Sequence, residues 1–255
     1  MSSRKLYNIQ MSGHSKWATI KRQKGATDAR RGQLFTKLSN AITIAVKQSG
    51  GIDDPESNFK LRLAVDRARS ANVPKENIER AIQKAKGAAA GSVEELLYEG
   101  FGPSGVAIII TAVTDNKQRT VSTIKSVFDK NGGTLGAQGS VSYLFSKRGV
   151  LVVKKTGLSQ EALLTKGIAA GVMDMEDDRD SVFFYVEPQQ LQHVRKALLE
   201  EGLEVESAEF VYLPLSEVEH DTGIQHKVLS LIEKLEELDD VQEVYTNLKN
   251  ATPNE

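Results

Sequence analysis

Gly13-His14-Ser15-Lys16-Trp17 is followed by Lys21-Arg22-Gln23-Lys24-Gly25, then by Arg30-Arg31 and Lys37, so cations recur around the single tryptophan of the chain. Such a segment neutralises phosphates with Lys and Arg, stacks an aromatic ring on a base, and hydrogen-bonds through Ser and His. A structural reading competes with it: Trp17 and Ile20 staple the segment to the helices that follow, and the cations are solvated. The charge of the whole chain hides this feature. Met1 to Ala90 holds 18 Lys/Arg against 7 Asp/Glu, and Gly91 to Glu255 holds 15 against 27, for a net charge of −1. A basic third attracts polyanions, unless the two halves face solvent or neutralise each other across a contact.

Catalytic chemistry is poorly represented. With no Cys there is no thiolate metal site, no disulfide and no cysteine nucleophile. His14, His193, His220 and His226 are scattered, none at metal-ligand spacing from another. Gly100-Phe-Gly-Pro-Ser-Gly105 is glycine-rich, but it precedes a strand and lacks the Lys-Ser/Thr ending of a phosphate loop. Asp174 to Asp180 alternates carboxylates as a calcium loop does, yet Arg179 holds the turn-glycine place and Tyr185 the place of the bidentate Glu, so a solvated turn is expected. No enzyme, metal or small-molecule cofactor is implied.

The elements around these residues follow from periodicity. A helix opened by Thr27 or Asp28 runs to Gly50-Gly51 with Leu34, Leu38, Ile42 and Ala45 on one face. A second starts at Asp54-Pro55-Glu56 and turns Phe59, Leu63 and Ala64 inward. A third, from Pro74 to Gly87, buries Ile78, Ala81, Ile82 and Ala85. The turn Asn72-Val73-Pro74 raises a helix-turn-helix, whose second helix would offer Lys75, Asn77, Arg80, Gln83 and Lys84 to a groove; a plain helical hairpin is the alternative. Lys86 to Ser92 reads as a linker. Beyond it come a central strand Val106 to Val113 and a helix Lys117 to Lys130 turning Val121, Ile124, Val127 and Phe128 inward. Strands Ser140 to Phe145 and Val150 to Lys154 follow, around a hairpin loop Ser146-Lys147-Arg148-Gly149. Next are a helix Glu161 to Ala170, a strand Val182 to Val186, a helix Pro188 to Glu201 and a strand Ser207 to Leu213. An amphipathic helix Ile224 to Leu238 leads to a closing strand, or fraying helix end, Val241 to Asn247. Between the central strand and its helix, Asp115 or Asn116 caps the helix, or the tip projects Lys117 and Arg119 toward a phosphate backbone.

The fold expected is α+β with three domains: an all-helical N-terminal domain and two ferredoxin-like α/β domains, the third inserted in the second. The boundaries are a basic arm at 1–26, a helical domain at 27–88, a discontinuous α/β domain at 89–135 and 206–255, and an inserted one at 136–205. The longest apolar run, Gly105 to Val113, is about half of the ~20 residues a membrane span needs, and Arg4 and Lys5 precede no apolar signal core. A cytoplasmic protein without a membrane partner is expected.

The strings Gly13-His-Ser-Lys-Trp17, Asn72-Val-Pro74, Tyr98-Glu-Gly-Phe-Gly-Pro103, Thr114-Asp-Asn-Lys117 with Arg119-Thr120, Gly139-Ser-Val141 and Asp239-Asp-Val-Gln242 together resemble the YebC/PmpR family of regulators. The resemblance runs in order from about Met11 to Asn250, with Met1 to Gln10 ahead of the usual family start. It implies the same nested three-domain fold and a DNA-binding transcriptional regulator. Mitochondrial translational activators in the family imply the alternative, a ribosome- or RNA-associated translation factor. A protein-interaction or ligand-sensing module is the third possibility. The partner implied is nucleic acid, either promoter DNA or ribosomal RNA. The contacts implied by the resemblance fall on His14, Lys16, Lys21, Arg22, Lys24, Arg30 and Arg31, and further along the chain on Lys117 and Arg119; the composition of the basic segment adds Ser15, Trp17 and Lys37.

Overall fold

The computed structural model describes residues 28–86, 93–155, 157–178 and 180–249, with side chains of the first helix described from residue 32. Helices α1 (Asp28–Gln48), α2 (Phe59–Ser70) and α3 (Lys75–Lys86) share one core. Leu38, Ile42 and Val46 meet Leu61, Val65 and Ala68 there, with Ile78, Ala81 and Ala85 closing it. The start of α2 differs from expectation. Asp54-Pro55-Glu56 forms a separate turn in which the Asp54 carboxylate accepts from the Glu56 N–H at 3.0 Å and the Ser57 hydroxyl at 2.8 Å. Asn58 is the cap instead. Its Oδ1 accepts from the Leu61 N–H at 3.1 Å, while its amide donates to the Ala45 carbonyl at 3.0 Å and fastens α2 to α1. Phe59 and Leu63, expected in the helical core, pack against the core of another domain.

Two four-stranded antiparallel sheets follow. The first contains β1 (Glu94–Phe101), β2 (Ala107–Thr114), β3 (Thr134–Leu135) and β8 (Val241–Thr246), in the order β3-β1-β2-β8. The second contains β4 (Phe145–Lys154), β5 (Asp174–Asp177), β6 (Ser181–Val186) and β7 (Val205–Pro214), in the order β5-β6-β4-β7. One face of the first sheet is covered by α4 (Lys117–Lys130) and α7 (Thr222–Glu236): Ile108 and Ile110 meet Ile124, Phe128, Val228, Leu231 and Leu235. Within α4, Val121 faces solvent; Thr120, two per cent exposed, takes the inward place because its hydroxyl reaches Asp240 at 2.6 Å. The second sheet is covered by α5 (Gln160–Ala170) and α6 (Leu191–Glu200), whose Leu163, Leu191, Val194 and Leu198 pack on Leu151 and Phe184.

The second sheet runs β-α-β-β-α-β along the chain. The first has the same spatial pattern with one strand permuted: β1, which precedes β2, occupies the place that β6 occupies in the other. Further local expectations change. Ser140 to Phe145, expected as a strand, holds a single tight helical turn at Ser142–Leu144, and the strand begins only at Phe145. Ser146-Lys147-Arg148-Gly149 is not a hairpin loop but part of β4, with Lys147 opposite Tyr212 and Gly149 opposite Phe210. Its polarity has local causes: the Lys147 ammonium lies 5.5 Å from the Phe210 ring centre, and Arg148 pairs with Glu187 at 3.1 Å. Gly149 is required by packing, since a Cβ there would stand 2.8 Å from Val186 and 2.9 Å from Leu191. β7, assigned from sequence to the outer domain, pairs along β4 from Phe145–Pro214 to Val153–Val205, so the second sheet extends to Pro214. The acidic run is half strand: β5 is an edge, where charged side chains reach water from a paired backbone.

The Gly100 to Gly105 string is also structural. It ends β1 and turns through Pro103–Gly105 into β2. Before it, Glu99 is two per cent exposed, and its carboxylate accepts from the backbone N–H groups of Gly139, Val141 and Ser142, each at 2.8 Å. Burial pushes the Glu99 carboxyl up, but these donations outweigh it and hold the group below its ordinary value.

Candidate nucleic-acid interface

Of the residues the sequence singles out, His14, Ser15, Lys16, Trp17, Lys21, Arg22 and Lys24 lie outside the described residues. Arg30 and Arg31 stand in the first turn of α1, their side chains outside the description. Lys37 turns inward. Its ammonium donates to the carbonyl of Glu236, and Gln33, one turn earlier, donates to the carbonyl of Glu237 at 3.0 Å. These carbonyls lie at the C-terminal end of α7, where orphan acceptors and the negative pole of the helix dipole favour a cation. Burial depresses the Lys37 pKa, opposed by Glu243, Glu236 and Asp239. Lys37 thus joins the basic helices to the acidic half of the chain.

Lys117 and Arg119 open α4, where the Asn116 side chain accepts from the Arg119 N–H at 3.0 Å and caps the helix. Both cations are neutralised: Lys117 pairs with Glu94 at 2.7 Å, and Arg119 pairs with Asp115 at 2.8 Å and Asp240 at 3.3 Å. Hydrogen bonding to Asp115, then to Asp240, raises the Arg119 pKa. Two distant sequence strings, Thr114 to Thr120 and Asp239 to Gln242, therefore meet here. Their chemistry is to fix the β2–α4 turn against the start of β8.

Between α2 and α3, Asn72 adopts φ 57°, a left-handed conformation Asn tolerates, and Val73 is buried. The outer side of α3 exposes Lys75, Arg80, Gln83 and Lys84, but also Glu76 and Glu79, and Lys75 lies 3.6 Å from Glu79. Asn77 is half-buried. This helix presents both signs of charge rather than a cationic face.

Sequence reasoning missed a cleft of about 860 Å³ where the helical region meets both sheets. Charged contacts bridge its walls: Arg67 of α2 pairs with Glu243 of β8, and Gln48 donates to Glu95 at 2.6 Å. Nearby, Arg195 of α6 pairs with Asp66 of α2 at 3.1 Å. Its aromatic wall contains Phe210, Tyr212 and Tyr245, with Tyr212 and Tyr245 edge-to-face at 5.4 Å. Burial, then the nearby Glu243 and Glu209, raise the Tyr245 pKa well above the ordinary phenol value. No local motif announces the cleft, because its walls come from segments far apart in sequence. Among the described residues, no group of three or more His, Asp or Glu side chains is arranged to hold a metal ion, and no helix is long and apolar enough to cross a membrane.

The chain matches the model for the TACO1/YebC protein N-terminal domain over residues 15–88 and that for the TACO1/YebC second and third domain over residues 93–248. It is 48% identical over 239 residues to a "Probable transcriptional regulatory protein" of Rubrobacter xylanophilus, covering 93% of this chain and 95% of that one. A protein of the same description from Caldanaerobacter subterraneus is 46% identical over 241 residues, covering 94% of this chain and 98% of the relative. Among solved structures, the conserved hypothetical protein Aq1575 from Aquifex aeolicus is similar with a TM-score of 0.82 at 43% identity, covering 94% of this chain and 98% of that one.

Proposed function

The chain belongs to the TACO1/YebC family, and from that premise we propose that it is a non-enzymatic, nucleic-acid-binding regulator of gene expression, acting on promoter DNA as a transcriptional regulator in the cytoplasm. One observation carries the reading. Residues 1–27 hold six Lys/Arg and no Asp/Glu, whereas Lys37, Lys117 and Arg119 are answered by carbonyls or carboxylates of the same chain. The excess of positive charge in the sequence is therefore concentrated on Lys16, Lys21, Arg22 and Lys24, continued by Arg30 and Arg31. His14, Ser15 and Trp17 supply hydrogen bonds and stacking. Lys37 holds the domains together instead, and Lys117 and Arg119, each paired with carboxylates of the same chain, contribute only a secondary contact.

Replacing Lys21, Arg22 and Lys24 together by Ala tests this. Binding to labelled duplex, measured across a salt series, should weaken by about tenfold or more, and the slope of log K against log salt should fall by about 2–3, since each phosphate contact contributes ~0.9. Unchanged affinity and slope would sink the reading.

A second reading is supported by the mixed charge of α3. Glu76 and Glu79 beside Lys75 and Arg80 suit a major groove poorly, whereas an extended cationic arm follows irregular RNA by phosphate contacts and stacking. The protein would then regulate translation on the ribosome. Competition between promoter duplex and ribosomal RNA fragments at one salt concentration separates the two.

A further inference from the structure

The cleft between the helices and the two sheets carries features that the contacts of the arm do not use. Strand β8 is bulged: Ala112 pairs with Val241 and Thr111 with Glu243, leaving Gln242 without a ladder partner. Gln242 and Glu243 both line the cleft. The amide nitrogen of Gln242 is buried and has no hydrogen-bond partner, and a buried donor of this kind calls for an acceptor. On the same cleft, Tyr212 and Phe210 lie 5.7 and 5.5 Å from the Lys147 ammonium, and Tyr212 also meets Tyr245 edge-to-face.

The charge of the lining selects among ligands. Four glutamates stand against three cations, which disfavours a phosphate inside but suits a neutral ring whose amino groups donate to carboxylates. The volume lies within the ~300–1,000 Å³ range of small-molecule sites. Aromatic faces, an unmatched amide donor and carboxylate acceptors around one space are the requirements for reading the edge of a base and stacking on its plane.

We propose that this cleft holds one unstacked nucleobase, delivered by a single-stranded stretch of nucleic acid or as a free nucleoside. The proposal rests on the nucleic-acid reading above and names what a second site, apart from the arm, would take. Gln242 donates to a ring nitrogen or carbonyl of the base, Tyr212 stacks on it, and the exposed Lys60 and Lys147 meet the flanking phosphates.

The test is a thermal-shift series on the full chain with adenosine, guanosine, cytidine and uridine, and with unpaired oligoribonucleotides of the same bases. At least one nucleoside or oligonucleotide should raise Tm in a concentration-dependent way, because a ligand of the folded state stabilises it. A rise with the nucleoside makes the free base sufficient, and a rise with the oligonucleotide alone assigns it to a strand; either sustains the proposal. Gln242→Leu should weaken the interaction about tenfold or more, as expected when a base-reading hydrogen bond is lost. The Lys21, Arg22 and Lys24 triple Ala variant should keep the nucleoside response. No shift with any of these probes, or an undiminished response in Gln242→Leu, overturns the proposal while leaving the role of the arm intact. Should the variant fail to fold, photocrosslinking of 4-thiouridine oligonucleotides to the unaltered protein decides: crosslinks in peptides holding Tyr212 or Gln242 support the site, and crosslinks confined to the arm refute it.

Discussion

Replacing Glu99 by Ala should cost about 3–5 kcal/mol of folding stability, measured as a lowered midpoint in urea. The carboxylate is the acceptor for three backbone N–H groups, from Gly139, Val141 and Ser142. Removing it leaves buried donors unpaired at about 1–3 kcal/mol each, partly relieved as the loop opens to water. Glu99→Gln should recover little, because its amide brings donors to a site that needs two accepting oxygens. A pH dependence follows. The folded-state pKa lies below the ordinary 4.5, so the stabilisation is fully present above that value and is lost as pH falls through the folded pKa. The unaltered protein should therefore lose stability between neutral pH and pH ~3 more steeply than Glu99→Gln. Parallel pH profiles would show that the carboxylate does not hold the loop.

Arg67→Met is expected to have the second largest effect. The side chain is 39% exposed and its partner Glu243 is 15% exposed; Glu243, then Glu209 on β7, favour the charged guanidinium and raise its pKa. Removing one member of a fully buried pair costs about 3–5 kcal/mol through the stranded charge; partial solvation of Arg67 reduces the expectation to about 2–3. Because α2, β7 and β8 meet at this point, the variant should also loosen the helical region from the sheets, read as faster amide exchange in β8. The double variant Arg67→Met with Glu243→Gln should regain a large part of the loss, since the Glu243 charge is then no longer stranded. If the double variant is as unstable as the single, packing rather than charge holds the junction.

How far the sequence spoke depended on whether a residue's surroundings are local. The stripe of α7 and the continuous apolar run of β2 were legible because a helix covering one sheet face and a strand buried on both faces impose one period or none. β1 was not, because Glu94-Glu95-Leu96-Leu97-Tyr98-Glu99 shows no alternation: its two faces meet different domains, and its most buried acid is satisfied by a loop some forty residues away. Lys147 and Arg148 read as a loop because their polarity is set by the Phe210 ring and Glu187, which lie elsewhere in the chain. The same limit applies to the interface. A cation such as Lys37 has the composition of a phosphate contact, and only the fold places it against the end of α7. The charge of the arm, which stands without nearby acids in the sequence itself, belongs to residues outside those the structure describes. The cleft was not legible, because Arg67, Tyr212 and Gln242 converge only after both sheets are built.

The most direct test of the central claim is in-cell ultraviolet crosslinking of tagged protein, comparing the unaltered chain with the Lys21, Arg22 and Lys24 triple Ala variant and sequencing the nucleic acid recovered. The account predicts discrete nucleic-acid segments, promoter DNA foremost, recovered with the unaltered chain and largely lost with the variant. Equal recovery from both, or no recovery above an untagged control, would contradict it.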